Sequence, residues 1–283
     1  MSDFRNEQEF LAEYEPALYE RLSVTVDILV FAVNQALNAL KILLIRRKDP
    51  PYIHCWSLLG GLVKKEESLE DAARRKLEEE TGLKDIYVEQ LFTYGDPGRA
   101  PDHRVISISY MALIQENKAV VTPGDNAEAC WFTLRERENI VELHGDNGEV
   151  LEYQVSRIPI LIGGVPSIQE TAYKHTGSGI AFDHEKAIQT GIRRLRNKAE
   201  YTNILFGLMP REFTLPELQR LYETVLGKQL YKANFRKKIS RYVEATGRKK
   251  NQEGARRSPE LYRFCTRVCR TETDDGLIGR IES

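Results

Sequence analysis

Residues 61–83 read GLVKKEESLEDAARRKLEEETGL, and this stretch decides the fold of the first half of the chain. Apolar residues recur in it at helical spacing, and Gly82 follows them as a typical helix stop. The stretch therefore predicts one amphipathic helix over Ser68–Thr81. Near its end, Glu79 and Glu80 lie within one turn of position 76, so these three side chains share a helix face.

Strand-like runs rich in Val, Ile and Leu lie on both sides of this helix in the sequence. They are Leu22–Val33, Leu40–Arg46, Ile86–Tyr94, Val105–Ile114 and Ala129–Leu134. Strands arranged around one central helix predict an α/β sandwich. A further short helix is expected at Glu7–Tyr14.

The stretch from 137 to 180 is less regular and is expected to form an inserted arm. Asp146-Asn147-Gly148 lies between two β-rich flanks and predicts a two-residue hairpin turn near Ile140–Val155. The glycine-containing stretch Ile162–Gly179 is expected to be a loop.

A helix opens after this stretch and is expected to run to about Lys198. We expect residues 183–199 to form a connector between two domains. Phe182, Asp183 and His184 stand at its start and are the expected hinge.

The net charge of −1 hides a strong segregation of charge along the chain. Residues 191–270 hold 20 Lys and Arg against 7 Asp and Glu, a net of +13. Residues 1–190 hold 20 against 31, and residues 271–283 hold 1 against 4. Such a concentrated positive charge indicates a half that binds a polyanion, with nucleic acid as the first candidate.

Composition excludes several protein classes. A hydrophobic content of 41%, with 13 Tyr, 10 Phe and 2 Trp, is enough for packed cores and excludes a largely disordered chain. No apolar run approaches the roughly 20 residues of a membrane span, and the polar start lacks the apolar core of a secretory signal. The four cysteines indicate neither a disulfide framework nor a metal knuckle. A cytoplasmic location without membrane contact is expected.

The basic half predicts a winged helix-turn-helix domain of the α+β class. A helix is expected to start at Thr214, where Glu217 completes a capping box, and to end at Gly227. A second, strongly basic helix is predicted four residues later, at about Lys232–Val243, which is the helix-turn-helix arrangement. A returning strand at Leu261–Phe264 predicts a hairpin beside it, which would be the wing.

The candidates for DNA contact share a basic or amide side chain on the second helix or near the hairpin tip. They are Lys232, Asn234, Arg236, Lys237, Lys238, Arg241, Arg248, Lys249, Lys250, Arg256 and Arg257. Phosphate contacts from such side chains would make binding weaken steeply with salt. The alternative is a dimerisation module whose basic face is only solvated.

The stretch 61–83 resembles the Nudix box, a fixed pattern of glycine, glutamate, arginine and aliphatic residues. Eight of its nine defined positions match, at Gly61, Glu67, Arg75, Leu77, Glu79, Glu80, Gly82 and Leu83. The resemblance implies a Nudix-type α/β/α sandwich with a mixed sheet and a site for a diphosphate.

Position 76 is Lys, where the Nudix family has a glutamate that binds metal or acts in catalysis. An ammonium among carboxylates should weaken Mg²⁺ binding and offers nothing that activates water. We therefore expect a pocket that binds a ligand without catalytic residues and without a metal. The expected ligand contacts are Arg46, Arg47, Trp56, Gly61, Glu67, Arg75, Lys76, Glu79 and Glu80. A core position is the alternative for Trp56, and a solvated helix face is the alternative for Glu79 and Glu80.

The chain as a whole resembles the Nudix-related transcriptional regulators of NAD metabolism. The likeness rests on IAFDH at 180–184, RRLRNKAEY at 193–201, LMPREFTLPELQRLYETVLGK at 208–228, NFRKK at 234–238 and RRSPELYRF at 256–264. It implies a homodimer that binds double-stranded DNA at a palindromic operator and senses ADP-ribose or a related phosphorylated metabolite. The 137–180 stretch is longer than the family usually has, which leaves the effector open.

We therefore predict a Nudix-like effector-sensing domain at 1–182, the connector at 183–199, a winged-helix DNA-binding domain at 200–271 and an acidic tail at 272–283. The predicted function is transcriptional regulation, as a repressor that requires no cofactor. One alternative is an active Nudix pyrophosphatase that cleaves a nucleoside diphosphate derivative with Mg²⁺. Others are a regulator of sugar utilisation that senses a pentose-type ligand, and a protein-interaction module that binds neither DNA nor nucleotide.

Overall fold

The structure is a computed structural model that describes residues 22–116, 128–174, 177–250 and 258–265 of the 283-residue chain. The expected Glu7–Tyr14 helix, the acidic tail, Arg256 and Arg257 lie outside these residues. Within the described ranges, no helix combines the length and apolarity needed to cross a membrane.

The first part of the chain forms one mixed sheet with two helices. Its strands are β1 (Ser23–Val33), β2 (Leu40–Arg46), β3 (Trp56–Ser57), β4 (Leu59–Leu62), β5 (Val88–Tyr94), β6 (Val105–Gln115), β7 (Glu128–Arg137), β8 (Ile140–Gly145), β9 (Val150–Ile162) and β10 (Val165–Tyr173). The helices are α1 (Leu69–Thr81) and α2 (His184–Tyr201).

The strand order is β10-β9-β8-β7-β2-β1-β6-β5, with β3 paired to β2 and β4 to β1. β1 runs parallel to β6 and antiparallel to β2 and β4, so the sheet is mixed. Eight consecutive residues of β1, from Val26 onward, are buried, as expected for a strand covered on both faces.

The two helices cover opposite faces of the sheet. Side chains of β1 point alternately to the two faces of the sheet. On one face, Val26 and Ile28 pack with Leu77 of α1. Leu29, on the other face, packs with Ile188 of α2. This arrangement confirms the predicted α/β/α sandwich.

Sequence signals account for the bounds of α1. The Ser68 side chain accepts a hydrogen bond from the Asp71 backbone N–H, which caps the helix start. Gly82 adopts a left-handed conformation with φ of 67° and ends the helix.

The arm region corrects one prediction. Residues from Ile162 to Gly179 were expected to form a loop, but β10 pairs with β9 along Val165–Tyr173. Gly163 and Gly164 both have positive φ, at 56° and 83°, and so form the tight turn of a hairpin. The hairpin near Ile140–Val155 is present, but residues 146–149 make its loop longer than the two residues expected.

The last part of the chain folds as α3 (Leu215–Leu226), α4 (Lys232–Ile239), β11 (Val243–Lys249) and β12 (Glu260–Phe264), after a 3-10 helix at Ile204–Leu208. α3 begins with the predicted capping box, in which the Thr214 and Glu217 side chains each accept from the other's backbone N–H. The expected helix at Lys232–Val243 is shorter, because Val243 pairs with Phe264 as the first residue of β11. β11 and β12 form an antiparallel pair beside α4, which confirms the winged-helix prediction.

The apolar core of the winged helix is continuous with the core on one face of the sheet. One apolar cluster includes Phe31 of β1, Leu195 of α2, and Val225 and Phe235 of the winged helix. The Thr224 hydroxyl donates to the Leu37 carbonyl at 2.8 Å, which ties α3 to the β1–β2 turn.

Candidate functional site

A cavity of about 300 Å³ opens between β1, the β3–β4 segment and the start of α2. We call it the hinge cavity. Three cationic side chains, Arg47, Lys48 and Arg99, line it together with His184 and Phe182. Its volume is at the lower end of the range typical of small-molecule sites, and its cations suit an anionic ligand.

A buried ion network forms one wall of the hinge cavity. Arg99 donates to the Asp183 carboxylate through Nη2 at 2.8 Å and Nε at 3.3 Å. Its Nη2 also lies 3.5 Å from Oδ2 of Asp27 in β1. Buried charges persist only when they are paired, so this network connects β1, the segment before β6 and the start of α2.

His184 completes the network from the first turn of α2. Its Nδ1 accepts a hydrogen bond from the Leu58 backbone N–H at 3.0 Å, which leaves Nε2 to carry the ring proton. Nε2 lies 3.6 Å from Oδ2 of Asp27. Burial alone would raise the pKa of Asp27, but His184, the Ser107 hydroxyl and Arg99 together lower it below its usual value.

Phe182 closes the cavity in a strained conformation. Its φ is 49°, in a region that non-glycine residues seldom adopt. The ring lies 4.9 Å from the Tyr52 ring, and the Arg47 guanidinium lies 4.9 Å from its centroid. Lys174 holds the backbone in place, because its ammonium donates to the carbonyls of Phe182 and Ile180.

Two acidic residues of the box, Glu67 and Glu79, form ion pairs with two basic residues of the same box, Arg75 and Lys76. Arg75 binds Glu67 at 2.6 Å and Glu79 at 3.1 Å, and Lys76 binds the other oxygen of Glu79 at 2.8 Å. The hydrogen bond from Arg75, aided by the Lys64 backbone N–H, lowers the pKa of Glu67 to about 2. At Glu79, burial acts to raise the pKa of the carboxyl group. Hydrogen bonds from Lys76 and Arg75 outweigh it and lower that pKa below its usual value.

This arrangement does not fit the divalent cation that a Nudix fold implies. Both oxygens of Glu79 are engaged by cationic side chains, so metal binding would have to displace Arg75 and Lys76. Lys76 lies against Gly61, where an added Cβ would come within 2.5 Å of the lysine Cε. Across the described segments, His, Cys, Asp and Glu side chains form no group of three or more that could hold a metal ion.

The structure divides the expected ligand contacts into separate places. Arg47 and Gly61 line the hinge cavity, together with the hinge residues Phe182 and His184. The box residues Glu67, Arg75, Lys76 and Glu79 form the ion-pair face beside Gly61, outside the cavity lining.

The remaining expected contacts lie elsewhere. Arg46 pairs with Glu128 at 3.1 Å and Glu149 at 3.3 Å, away from the cavity. Trp56 is 1% exposed in the core, where its Nε1 donates to Glu149, so its alternative reading as a core residue fits the structure better. Glu80 is buried at 4% exposure rather than solvated.

Sequence reasoning missed Asp27, Arg99 and Tyr52. A signal existed for Asp27, since a carboxylate in the middle of the apolar run SVTVDILVFAV must be buried and therefore paired. Arg99 lies in an irregular segment with no local pattern, and only its tertiary contacts reveal it.

The basic face of the winged helix is open. The described candidates for DNA contact are all exposed. On α4 they are Lys232, Asn234, Arg236, Lys237 and Lys238; after α4 and in the wing they are Arg241, Arg248, Lys249 and Lys250. Phe235 and Ile239 on the opposite face of α4 are buried, which turns the basic face outward. Tyr231 at the helix start is 84% exposed and was not among the candidates.

Some of these cations are engaged within the protein. Arg248 pairs with Glu212, and Lys250 pairs with Glu217. Lys238 donates to the Glu200 backbone carbonyl, at the end of α2. The structure thus brings the basic helix into direct contact with the helix that starts in the hinge cavity.

Comparisons with known proteins agree with this architecture. Residues 21–154 match the NUDIX domain family, and residues 205–264 match the NrtR DNA-binding winged helix domain family. The ADPR responsive transcriptional repressor NtrR of Acinetobacter baylyi is 33% identical over 266 residues, which cover 93% of this chain and 90% of that protein. An ADP-ribose pyrophosphatase of Methanocaldococcus jannaschii is 35% identical over 136 residues, 48% of this chain and 74% of that enzyme.

Two solved structures resemble most of the chain. A MutT/nudix family protein from Enterococcus faecalis superposes with a TM-score of 0.68 at 28% identity, over 92% of this chain and 94% of that one. Shewanella oneidensis NrtR in complex with a 27mer DNA superposes with a TM-score of 0.61 at 26% identity, over 86% and 93%. The chain therefore belongs to the NrtR family of transcriptional regulators, which join a NUDIX domain to a DNA-binding winged helix.

Proposed function

We propose that this protein is a DNA-binding repressor that acts as a homodimer in the cytoplasm and senses ADP-ribose or a closely related phosphorylated metabolite. One observation carries the proposal. The first residues of α2 form a wall of the hinge cavity, while its last turn contacts the basic helix of the winged domain. At about 1.5 Å per residue, its 18 residues span roughly 27 Å between the two sites.

The ligand would bind in the hinge cavity. Arg47 and Arg99 supply charge for a diphosphate, and the Phe182 and Tyr52 rings offer an apolar surface beside it. A diphosphate that pairs with Arg99 would compete with Asp183 for the same guanidinium. The ion pair that fixes the start of α2 would then weaken, because Arg99 is the buried cationic partner of Asp183.

A change at the start of α2 would alter the DNA-binding domains. Two recognition helices must match half-sites one helical turn apart, so a small tilt of α2 in each copy would prevent them from docking together. Ligand binding shifts this equilibrium only through different affinities for the two arrangements. Repression that ADP-ribose relieves is the outcome this coupling favours.

DNA contact would involve the exposed basic side chains of α4 and the wing. Phosphate contacts would supply affinity, and the N-terminal end of α4, with Asn234 and the exposed Tyr231, would face base edges. The affinity should fall with salt by about 0.9 log units per phosphate neutralised for each tenfold rise in salt.

The second candidate function is Mg²⁺-dependent hydrolysis of ADP-ribose, which the similarity to the archaeal pyrophosphatase favours. The box geometry argues against it, since Lys76 and Arg75 engage the carboxylate that would bind the metal. We therefore propose that the protein works without a metal cofactor and without turnover.

Fluorescence anisotropy tests the proposal. Labelled DNA from upstream of the protein's own gene is titrated with protein, with unrelated DNA as competitor and with ADP-ribose, AMP or ribose 5-phosphate added. Competitor-resistant binding that ADP-ribose releases is the expected result. Release by ribose 5-phosphate alone would favour a pentose sensor, and binding that no nucleotide alters would contradict the sensing role.

A parallel assay addresses hydrolysis. The same protein is incubated with ADP-ribose and Mg²⁺, and AMP release is measured. We expect no release above background. Turnover within the range of about 1–1,000 per second typical of enzymes would overturn the non-catalytic proposal.

A further inference from the structure

An uncharged hairpin projects from one end of the sheet. Arg157 and Glu170 pair across β9 and β10 at 2.9 Å, and the twelve residues between them, IPILIGGVPSIQ, carry no charge. We call residues 157–170 the arm. Its neutrality contrasts with a chain in which 29% of residues are charged.

Large apolar side chains of the arm face solvent. Their exposed fractions run from 50% to 72%, at Ile158, Leu161, Ile162, Val165 and Ile168. Exposed apolar residues normally occur singly on a protein surface, and a contiguous group of them marks an interaction site. The arm is such a group on both of its faces, since Ile158, Ile162 and Val165 lie on one side of the hairpin and Leu161 and Ile168 lie on the other.

The arm also presents a strand edge. β10 is the terminal strand of the sheet, so its outer backbone edge pairs with no other strand in the described chain. A long apolar edge strand is a template for pairing with another chain, and proteins normally cover it or place charges on it. Neither Val165 nor Ile168 on β10 is covered here.

The chemistry of the arm selects its partner. DNA and a phosphorylated metabolite need cations, which residues 158–169 do not offer. An uncharged apolar patch fits an equally uncharged patch, and a two-fold axis places the same patch of two copies together. Two arms that pair along the open edge of β10 would bring apolar side chains of both faces into contact.

We propose that the arm is the surface through which two copies of this chain associate, with the arm of one copy packed against the arm of the other. The inference rests on the proposed function, in which two copies bind one operator. The chain continues from the arm to Lys174, four residues beyond Glu170, and the Lys174 ammonium donates to the carbonyl of Phe182, which lines the hinge cavity. β10 therefore connects the proposed contact between copies to the segment proposed to respond to ligand.

Sedimentation equilibrium of the full chain tests the proposal with the double variant L161E/I168E. The two residues lie on one face of the hairpin, because Ile168 is opposite Pro159. Four glutamates would meet in the contact, and we expect association to weaken by about a hundredfold or more. Val150→Glu is the matched control, since Val150 is 55% exposed on β9 but lies outside the arm; its association should equal that of wild type.

A second variant removes the arm without disturbing its base. Residues 158–169 are replaced by Asn-Gly, which closes a two-residue turn between the register partners Arg157 and Glu170. This variant should be monomeric and keep the circular dichroism spectrum of a folded protein. A dimer of unchanged affinity in either variant, or a wild-type protein that remains monomeric throughout the concentration range, overturns the proposal.

DNA binding distinguishes failure of this inference from failure of the proposed function. A folded arm variant should retain weak, salt-dependent binding to duplex DNA and lose tight binding to a full palindromic site. Dimeric wild type that binds no DNA would refute the proposed function and leave the arm contact intact. An arm variant that is monomeric yet binds the full site as tightly as wild type would refute the role of this contact in operator binding.

Discussion

Two nitrogens of the Arg99 guanidinium donate to the Asp183 carboxylate, at 2.8 Å and 3.3 Å, in a buried pair that joins the segment before β6 to the start of α2. The same guanidinium faces Asp27. The proposed coupling between ligand and α2 acts through this pair, because the pair is buried and Arg99 lines the hinge cavity.

Replacing Arg99 with alanine should destabilise the protein strongly. Asp183 and Asp27 would lose their shared cationic partner, and removing one member of a buried pair costs about 3–5 kcal/mol. Thermal and chemical unfolding would measure the loss. The control is Arg263→Ala, which breaks the exposed pair with Glu244 and should cost less than about 1 kcal/mol. Equal losses in the two variants would refute the special role of the buried pair.

The pH dependence of stability should report Glu67. Its pKa is lowered from 4.5 to about 2 in the folded protein, so its contribution to the free energy of unfolding is fully present above the unfolded value. That contribution is lost as pH falls from about 4.5 towards 2. Wild type should therefore be more stable than Glu67→Gln at neutral pH, and the difference should shrink across this range. Denaturant unfolding at a series of pH values measures it, and a pH-independent difference would contradict the assignment.

Lys76→Glu should create a cation site at the cost of stability. The variant loses the 2.8 Å pair with Glu79 and places like charges on one helix turn, so it should melt at a lower temperature than wild type. Mg²⁺ should raise the melting temperature of the variant and leave that of wild type unchanged. Lys84→Glu makes the same charge change next to Glu78, outside this ion-pair face, and serves as control. An equal Mg²⁺ response in wild type would show that the lysine does not block the site.

Lys237→Ala should reduce the salt dependence of DNA binding. Loss of one phosphate contact lowers the slope of log affinity against log salt by about 0.9. Lys228→Ala removes a lysine that is also exposed but pairs with Glu200 outside α4, and its slope should match that of wild type. Anisotropy titrations at four or more salt concentrations would give the slopes. The assignment fails if both variants change the slope equally.

Gly191→Ala should test how closely α2 packs on β1. A Cβ at this position would come within 2.2 Å of Leu29 Cδ2 and 3.3 Å of Phe31. The gain in helix propensity of up to about 1 kcal/mol should be outweighed by overpacking, which typically costs about 1–3 kcal/mol. Gly207→Ala, where nothing lies within 4 Å of the added Cβ, should be close to neutral. A stabilised Gly191→Ala protein would show that the contact relaxes freely.

Sequence determined the local elements of this protein, because their causes lie within a few residues. Ser68 and Gly82 bound α1, and Thr214 with Glu217 starts α3, since capping involves residues three or four apart. The concentration of Lys and Arg in residues 191–270 likewise identifies the basic half from composition alone. The eight matching positions of the box likewise required only spacing along one chain segment.

Only the tertiary structure decided which residues form the hinge cavity. Arg99 meets Asp183 across 84 residues and Asp27 across 72, and such a pairing leaves no periodicity in the sequence. The same holds for the end of α4, which stops at Ile239 because Val243 is drawn into a strand pair with Phe264. Local propensity sets where helices and strands begin, but burial between distant segments selects which charges must pair, and here those pairs join the cavity to the helix that leads to the DNA-binding domain.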